Sequence, residues 1–350
     1  MTTQETDELY MSRCLQLASM AEGHTYPNPM VGAVIVHNNK IIGEGYHRKS
    51  GEPHAEVNAV NSVKDQSLLE ESTIYVSLEP CSHFGKTPPC SLLILEKKIP
   101  RVVVGCIDTF SEVGGKGIAM LRQAGVNVKV GILENECREI NRRFFTYFEK
   151  KRPFVILKWA QTIDGFIDID RDEAKWGEPT WITNQAALRD VHRMRTREQA
   201  ILVGYRTALK DNPSLTVRYW AGNQPLRIVM DRDACLPDTL RLFDRQNPTL
   251  IVTQKKIESC NNINCLTLAY NDHLIPELLR HLYTIGIQSV IIEGGTNTLT
   301  QFIDAELWDE AHVYVGEKCF IQGIKAPGIK GNIVSISHFD ESKLFVYRPK

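Results

Sequence analysis

A short charged run that ends in proline, Glu149-Lys150-Lys151-Arg152-Pro153, most restricts how this chain folds. Proline cannot continue a helix interior, and exposed charged segments commonly separate domains. A chain of 350 residues also exceeds the size at which one hydrophobic core usually keeps growing. Because helical and β-rich patterns alternate on both sides of the run, we expect two α/β domains, residues 1–150 and 151–350.

In the first half, apolar residues at helical spacing predict a helix over Asp7–Ala21 with Thr6 as its N-cap. The β-rich runs Val31–Val36 and Ile41–Tyr46 flank Asn38-Asn39, a pair typical of a hairpin turn. Further patterns predict helices over His54–Val60, Cys90–Lys98, Lys116–Ala124 and Asn135–Glu149, and strands over Thr73–Leu78, Arg101–Cys106 and Val126–Val130. These elements form an alternating α/β unit.

The second half repeats the alternation. Its predicted helices are Asn184–Arg195, with Asn184 as a cap, and Leu274–Thr284. Its predicted strands are Phe154–Trp159, Ala200–Val203, Leu226–Met230, Leu250–Val252 and Val290–Ile292.

Composition narrows the class of protein. The formal net charge of −1 predicts no broad attraction to nucleic acid or to an anionic membrane. No stretch of about twenty apolar residues exists, and the N-terminus is polar and acidic, so we expect a cytoplasmic protein. The nine cysteines are odd in number and scattered, which favours reduced thiols, some of them metal ligands, over a disulfide framework.

The most specific pattern is His54-Ala55-Glu56, followed one strand later by Pro80-Cys81 and then by Cys90. In zinc deaminases an imidazole and two thiolates hold the metal, and a glutamate that is not a ligand moves the protons. The two cysteines are nine positions apart, whereas the common signature spaces them by about three. A purely structural zinc site therefore remains an alternative.

Longer stretches surround these ligands: Pro27-Asn28-Pro29-Met30-Val31-Gly32, Gly45-Tyr46-His47, Gly51-Glu52-Pro53-His54-Ala55-Glu56 and Glu79-Pro80-Cys81-Ser82-His83-Phe84-Gly85-Lys86-Thr87-Pro88-Pro89-Cys90. They closely resemble the bacterial deaminase/reductase family of riboflavin biosynthesis, and the resemblance runs from about residue 8 to about residue 330. It implies a cytidine-deaminase-like three-layer α/β domain followed by a dihydrofolate-reductase-like α/β domain.

The resemblance implies three zinc ligands, a proton shuttle and a pyrimidine contact: His54, Cys81 and Cys90, then Glu56, then Asn28. Three further residues are candidates for ring or phosphate contacts, with solvated loop positions as the alternative: His47, His83 and Lys86. Many family members carry Asp-Pro-Asn-Pro where this chain reads Asp108-Thr109-Phe110-Ser111, so we assign no substrate contact to that loop.

The second half lacks Gly-x-Gly-x-x-Gly after its first strand, so its residues do not indicate a Rossmann site. It offers Glu293-Gly294-Gly295-Thr296 between an apolar strand and a helix, where backbone N–H groups can bind a phosphate. An ordinary turn is the alternative for that pair of glycines.

Four longer motifs of this half resemble the reductase of the same family: Leu157-Lys158 with Ile163-Asp164-Gly165, Trp181-Ile182-Thr183, Ala200-Ile201-Leu202-Val203-Gly204, and Asp211-Asn212-Pro213-Ser214-Leu215-Thr216-Val217-Arg218. The resemblance places NADPH on Ala160, Trp181, Thr207, Asp211, Gly295, Thr296, Asn297, Thr298, Leu299, Thr300 and Gln301. It places the sugar-phosphate substrate on Pro179, Arg195, Leu215, Arg218 and Glu293.

Guanidinium groups suit a phosphate dianion, so Arg195 and Arg218 are interpreted as phosphate forks, with solvated arginines as the alternative. Pro179 stands where the family usually has serine, and the preceding Lys175-Trp176-Gly177-Glu178 also differs. Hydride transfer from a nicotinamide needs mainly orientation, and Lys158 is a candidate proton partner.

The resulting hypothesis is a bifunctional enzyme. Its first domain deaminates a phosphoribosylaminopyrimidine with zinc, and its second reduces the ribosyl side chain of the product with NADPH. We expect a small-molecule substrate, no nucleic acid, no membrane, and a homo-oligomer. A nucleic-acid base deaminase and a non-catalytic zinc- and nucleotide-binding sensor are the rival hypotheses. The neutral charge opposes the first rival, and Glu56 opposes the second.

Overall fold

The computed structural model describes residues 2–84, 88–109, 114–177 and 179–350. The chain divides into two compact units, Met1–Lys151 and Arg152–Lys350. The last helix of the first unit ends at Lys150, and Lys151 has a left-handed backbone with φ of 52°. Among the described residues, none of the helices has the length and apolar character needed to span a bilayer.

The first unit is built on a five-stranded sheet of order β2-β1-β3-β4-β5. These strands are β1 (Gly32–His37), β2 (Lys40–Tyr46), β3 (Thr73–Leu78), β4 (Arg101–Cys106) and β5 (Asn127–Val130). Strand β1 is antiparallel to β2 and β3, and the last three strands are parallel. The helices are α1 (Thr3–Ser19), α2 (Ala55–Ser62), α3 (Cys90–Glu96), α4 (Lys116–Gln123), α5 (Glu134–Ile140) and α6 (Arg142–Lys150).

Helices cover both faces of this sheet because successive strand residues point to opposite sides. Ile35 and Val104 belong to a core packed against α2, α3 and α4. Their neighbours Val34 and Val103 belong to a second core, packed against α1, α5 and α6. The expected three-layer α/β architecture is therefore confirmed.

The predicted hairpin between β1 and β2 is also confirmed. His37 pairs with Lys40, and the two residues between them, Asn38 and Asn39, have φ of 47° and 58°. A two-residue turn with both φ angles positive matches the twist of the flanking strands, and asparagine tolerates that backbone better than most residues.

Two predicted helix boundaries in this unit are wrong. Helix α1 begins at Thr3, not at Asp7, because Thr2 and Glu5 form a capping box in which each side chain accepts the other residue's backbone N–H. The helix predicted over Asn135–Glu149 is divided at Asn141, whose backbone leaves the helical region. The Asn141 side chain instead bonds the backbone N–H and carbonyl of Met30, each at 2.8 Å.

The second unit contains a nine-stranded sheet of order β11-β10-β9-β8-β12-β6-β13-β16-β15 and a two-stranded sheet of β7 and β14. The strands are β6 (Phe154–Thr162), β7 (Phe166–Asp168), β8 (Ala200–Gly204), β9 (Leu226–Met230), β10 (Thr249–Thr253), β11 (Ile263–Thr267), β12 (Ser289–Ile292), β13 (Glu310–Gly316), β14 (Ile324–Lys325), β15 (Gly331–Phe339) and β16 (Ser342–Pro349). The helices are α7 (Gln185–Arg197), α8 (Tyr205–Asp211), α9 (Leu274–Thr284) and α10 (Thr296–Asp304).

Helices again lie on both faces of the large sheet. Leu278 of α9 and Phe302 of α10 pack into one core. Met194 of α7 and Ala208 of α8 pack into a core on the other face. The predicted cap of α7 is confirmed, since the Asn184 side chain accepts the N–H of Ala187 at 3.0 Å.

Three strands near the C-terminus, β13, β15 and β16, were not predicted. Most of β15 is exposed, so its residues show no alternation of buried and exposed positions for a pattern to reveal. Strand β15 pairs with β16, which in turn pairs antiparallel with β13. These neighbours, rather than a local apolar pattern, define the strand.

Candidate functional site

Three side chains that the sequence singles out converge in the first unit. His54 precedes α2, Cys90 opens α3, and Cys81 lies in the loop after β3. The ligand atoms of this zinc triad all lie within 4.8 Å of one another. His54 Nδ1 is 3.6 Å from Cys81 Sγ and 3.4 Å from Cys90 Sγ. Tetrahedral zinc bonded to nitrogen and sulfur separates such atoms by about 3.5 Å, so donor types and spacing both fit Zn²⁺.

The long separation of the two cysteines is explained by the fold. Cys81, in the loop after β3, lies against the first turn of α3. There the N–H of Cys90 donates to Cys81 Sγ at 3.3 Å. Both the N–H and the hydroxyl of Ser91 donate to the Cys81 carbonyl. The contact with the Cys90 thiol, aided by His54 and opposed by burial, lowers the pKa of Cys81 and favours the thiolate that a metal needs.

Helix α2 is held close to β2 by a glycine. A Cβ on Gly45 would lie 2.3 Å from the backbone nitrogen of Ala59, so only glycine permits this approach. The side chain of Asn58 donates to the Tyr46 carbonyl at 2.9 Å. These contacts fix the start of α2, and with it His54 and Glu56.

Glu56 lies in the first turn of α2 and is only 3% exposed. Burial, together with the negative charge of Cys81, raises the pKa of Glu56 to about 7, while His54 opposes the shift. A carboxyl group with that pKa can take up and release a proton at neutral pH.

Asn28 and His47 form a second polar pair beside the zinc triad. His47 Nδ1 lies 3.2 Å from the Pro53 carbonyl, which can only accept, so the proton is assigned to Nδ1. His47 Nε2 then accepts from Asn28 Nδ2 at 3.1 Å, which turns the amide oxygen of Asn28 away from His47. The His47 ring is buried, 5.4 Å from the ring of His54, so the solvated-loop alternative is wrong for this residue.

The other two loop candidates differ. His83 is exposed, as the solvated-loop alternative requires. Lys86 lies outside the described residues. In the loop after β4, where the sequence differs from that of many family members, Asp108 is buried and Thr109 exposed. Phe110 and Ser111 also lie outside the described part of the chain.

Sequence reasoning missed the role of Glu79. This buried carboxylate accepts four backbone N–H groups, from Asp108, Gly115, Gly117 and Ile118, at 2.9 to 3.3 Å. It therefore ties the segment that carries Cys81 to the start of α4. The available signal was an acidic residue directly before Pro80-Cys81, together with the glycines that lead into α4.

In the second unit, Glu293 is the centre of a buried ion cluster. Arg195 donates to its two oxygens at 3.0 and 2.8 Å, and Lys158 Nζ lies 3.8 Å from Oε2. Burial alone would raise the pKa of Glu293, but the charges of Arg195 and Lys158 outweigh it and lower that pKa to about 2. Glu293 is therefore ionised at neutral pH.

Arg195, predicted as a phosphate fork, is also bonded within the chain. The remaining guanidinium nitrogen, Nη1, donates to the Thr216 carbonyl at 3.1 Å, so each of the three nitrogens makes one hydrogen bond within the chain. Arg218 is exposed, and no carboxylate among the described residues pairs with it. Of the two predicted forks, Arg218 is the more exposed.

Two other predicted substrate positions offer little side-chain chemistry. Leu215 is 2% exposed and packs in the core, with a left-handed backbone of φ 52°. Its side chain cannot meet a ligand, so any contact there is through the backbone. Pro179 is exposed, directly after Glu178, which lies outside the described residues.

The glycines before α10 form a close backbone cradle. A Cβ on Gly294 would lie 2.8 Å from Thr298 Cβ and 3.0 Å from the backbone nitrogen of Gly204. The Gly295 N–H donates to Thr207 Oγ1 at 2.8 Å, and no side chain among the described residues caps the helix. An uncapped helix start behind a glycine cradle fits a cofactor phosphate.

The remaining predicted NADPH positions fall into different surroundings. Leu299 is buried in the core, so its side chain is not available, and Thr298 is also buried. Asp211 is paired with Arg171. Ala160 lies on β6, Trp181 is 51% exposed, and four residues line the first turns of α10 with partly or fully exposed side chains: Thr296, Asn297, Thr300 and Gln301.

Two family models match the chain. The cytidine and deoxycytidylate deaminase zinc-binding region matches residues 4–106. The RibD C-terminal domain matches residues 153–320. The first match spans the whole zinc triad, and the second spans the Glu293 cluster and the glycine cradle.

Whole proteins match as well. The riboflavin biosynthesis protein RibD of Aquifex aeolicus (strain VF5) is 38% identical over 325 residues, which is 91% of this chain and 89% of that protein. RibD of Bacillus amyloliquefaciens is 40% identical over 332 residues, covering 92% and 87% of the two chains.

Among solved structures, a diaminohydroxyphosphoribosylaminopyrimidine deaminase/5-amino-6-(5-phosphoribosylamino)uracil reductase from Thermotoga maritima superposes with a TM-score of 0.90. It is 35% identical, and the superposition covers 100% of both chains. Since relatives of this identity extend over nearly all of its length, the chain belongs to the RibD family of riboflavin biosynthesis proteins.

Proposed function

We propose that the chain catalyses two successive steps of riboflavin biosynthesis, with the first step in residues 1–150 and the second in residues 151–350. The first is hydrolytic deamination of 2,5-diamino-6-(5-phosphoribosylamino)pyrimidin-4(3H)-one. The second is NADPH-dependent reduction of the ribosyl side chain of the resulting 5-amino-6-(5-phosphoribosylamino)uracil to ribityl. The observation that carries the proposal is the zinc triad beside a buried glutamate that is not one of its members.

In the first unit, His54, Cys81 and Cys90 would hold the metal. When bound, Zn²⁺ supplies a water molecule of lowered pKa and therefore a nucleophile at neutral pH. Glu56 would take one proton from the attacking water and pass it to the ring nitrogen, and would then carry the second proton, from the new hydroxyl group, to the amine that leaves as ammonia. The carbon–nitrogen bond to the amine breaks and a carbonyl forms, with one water consumed. A carboxyl pKa near 7 suits both transfers.

Asn28 orients the pyrimidine. Because His47 holds its Nδ2, the amide presents Oδ1 as an acceptor for an N–H group of the ring or of its amine. A substrate that lacks this N–H donor would leave Asn28 Oδ1 unpaired in the site. Asn28 would therefore favour substrates that carry the donor.

In the second unit, the backbone around Gly295 and the first turn of α10 would hold the cofactor phosphate. NADPH supplies the hydride. Arg218 meets the substrate phosphate, while Arg195 keeps Glu293 ionised. Burial lowers the pKa of Lys158, so its ammonium releases a proton more readily to the oxygen or nitrogen of the group being reduced.

Other assignments in this unit stand as proposals from family resemblance. They are the remaining NADPH positions, namely Ala160, Trp181, Thr207, Asp211 and Thr296 to Gln301, and the substrate positions Pro179, Arg195, Leu215 and Glu293. The cytoplasmic location and the homo-oligomeric state likewise remain predictions from the sequence.

A two-stage assay tests the proposal. Purified protein receives the diaminopyrimidine ribosyl phosphate, and ammonia release and then NADPH oxidation are followed, with Glu56→Gln as the control variant. Ammonia release that disappears in the variant, followed by NADPH oxidation, supports both activities. Ammonia without oxidation removes the reductase assignment, and the absence of both signals removes the catalytic one.

A further inference from the structure

A histidine that the mechanism does not use lies next to Arg218. His192 is on α7, three residues before Arg195 and therefore on the same side of the helix. It is fully buried, and its ring stands edge-on against the exposed ring of Tyr219, with centroids 4.9 Å apart. Packing alone does not require an imidazole here, because an apolar side chain would fill the same volume.

A hydrogen bond to the backbone of Arg218 explains the residue type of His192. The backbone N–H of Arg218 donates to His192 Nδ1 at 3.1 Å. A backbone N–H can only donate, so Nδ1 carries no proton and the proton is assigned to Nε2. Nε2 has no hydrogen-bond partner in the part of the chain that the structure describes. The polar contact of this ring is therefore directed at the backbone of Arg218.

The surroundings keep the ring in that form. Burial, with the positive charges of Arg195 and Arg218, lowers the pKa of His192 to about 4. The imidazole is neutral at physiological pH, and its Nδ1 lone pair stays available to the Arg218 N–H.

Two residues of α7 together hold the segment that carries Arg218. Arg195 binds the Thr216 carbonyl at 3.1 Å, and His192 binds the Arg218 N–H. Between these points the N–H and carbonyl of Val217 are bonded by the side chain of Gln224, at 2.7 and 3.1 Å. The backbone is thus fixed up to the residue whose guanidinium has no acidic partner among the described residues.

We propose that His192 is a positioning residue of the reductase: its Nδ1 holds the Arg218 backbone so that the guanidinium meets the phosphate of the sugar-phosphate substrate. The inference rests on the proposed function, which assigns that phosphate to Arg218. His192 itself touches neither substrate nor cofactor and acts through Arg218.

Isosteric variants separate this role from packing. In His192→Asn the amide oxygen occupies the place of Nδ1 and can still accept the Arg218 N–H. In His192→Leu the shape is kept and the acceptor is lost. We expect the leucine variant to raise the KM for the aminouracil substrate, and the inhibition constant of ribose 5-phosphate, by about fivefold to tenfold. We expect the asparagine variant to stay within about twofold of the wild type.

A double-mutant cycle with Arg218→Ala shows whether the effect passes through Arg218. In that background, His192→Leu should change neither constant further. The KM for NADPH and the ammonia release of the first unit serve as folding controls and should not move. If the leucine variant does not fold, His192→Gln, whose longer arm places its polar atoms at the Nε2 end, takes its place.

The outcomes distinguish the inference from its premise. If the wild type neither releases ammonia nor oxidises NADPH, the proposed function fails. If Arg218→Ala leaves ribose 5-phosphate binding unchanged, the phosphate assignment fails, and the inference fails with it. If Arg218→Ala weakens binding but His192→Leu does not, or if the two effects simply add, His192 is only a packing residue and the inference alone is overturned.

Discussion

Arg195 donates two hydrogen bonds to Glu293, with Nε to Oε1 at 3.0 Å and Nη2 to Oε2 at 2.8 Å, and both side chains are about nine-tenths buried. The arginine that the family resemblance assigns to a phosphate therefore pairs with a carboxylate of its own chain. Removing one partner of a buried pair leaves the other charge unpaired, so we expect loss of this contact to destabilise the folded state.

Arg195→Ala should therefore lower the free energy of unfolding of the second unit by about 3 kcal/mol or more. The matched control is Arg193→Ala on the same helix, where a more exposed pair with Asp190 should contribute no more than about 1 kcal/mol. Urea unfolding followed by tryptophan fluorescence isolates this unit, because all five tryptophans belong to it: Trp159, Trp176, Trp181, Trp220 and Trp308. Equal losses in the two variants would contradict the prediction.

Glu56→Gln should reduce the rate of ammonia release by about a hundredfold or more, because the amide cannot carry a proton between water and leaving group. Zinc content should stay at the wild-type level, since Glu56 is not in the triad. NADPH oxidation with the preformed aminouracil substrate should also be unchanged. A variant that loses its zinc would show that Glu56 is a ligand and would refute the assigned role.

Cys81→Ser should remove most of the bound zinc, measured by elemental analysis of the purified protein, because a hydroxyl is a far weaker ligand than a thiolate. Cys235→Ser, at an exposed cysteine of the second unit, is the control and should keep its metal. Full zinc content in Cys81→Ser would place the metal elsewhere.

Glu79→Gln should lower both the stability of the first unit and its deaminase rate. The amide cannot serve all four N–H donors, and each group left unpaired costs about 1–3 kcal/mol. The KM for NADPH is the control, since the second unit is untouched. Thermal unfolding read by circular dichroism tests the prediction, and an unchanged melting temperature would show that the contacts are replaceable.

The stability of the second unit should depend on pH through His192. Its pKa is lowered from 6.5 to about 4 by burial and by Arg195 and Arg218, so the folded state binds a proton less readily than the unfolded chain. The contribution of neutral His192 to the free energy of unfolding is complete above pH 6.5 and is lost as the pH falls from 6.5 towards 4. In urea unfolding, His192→Asn should lose less free energy of unfolding over this pH range than the wild type. His338 is exposed, so the control variant His338→Asn should behave like the wild type.

Chemical requirements made much of the first site predictable. A zinc deaminase needs one imidazole, two thiolates and a free acid, and the chain places His54, Glu56, Cys81 and Cys90 where alternating strands and helices bring them together. The hairpin at Asn38-Asn39 and the cap at Asn184 were predictable for a related reason: each depends on a few neighbouring residues.

Other features depended on residues distant in sequence. Asn141 interrupts a helical pattern because it bonds Met30, and Glu79 acts on backbone more than thirty positions away. Strand β15 exists through its pairing with β16, although nearly all of its residues are exposed.

By itself the sequence determined the α/β alternation, because local periodicity suffices for it, and its resemblance to the family predicted the metal ligands and the proton shuttle. Only the tertiary structure decided which of the two predicted arginines is buried against a carboxylate and which is exposed. Arg195 and Arg218 carry the same charge, and what separates them is that Glu293, 98 positions from Arg195, is folded against one of them and not the other. Burial of that pair, which no local pattern encodes, is the physical reason.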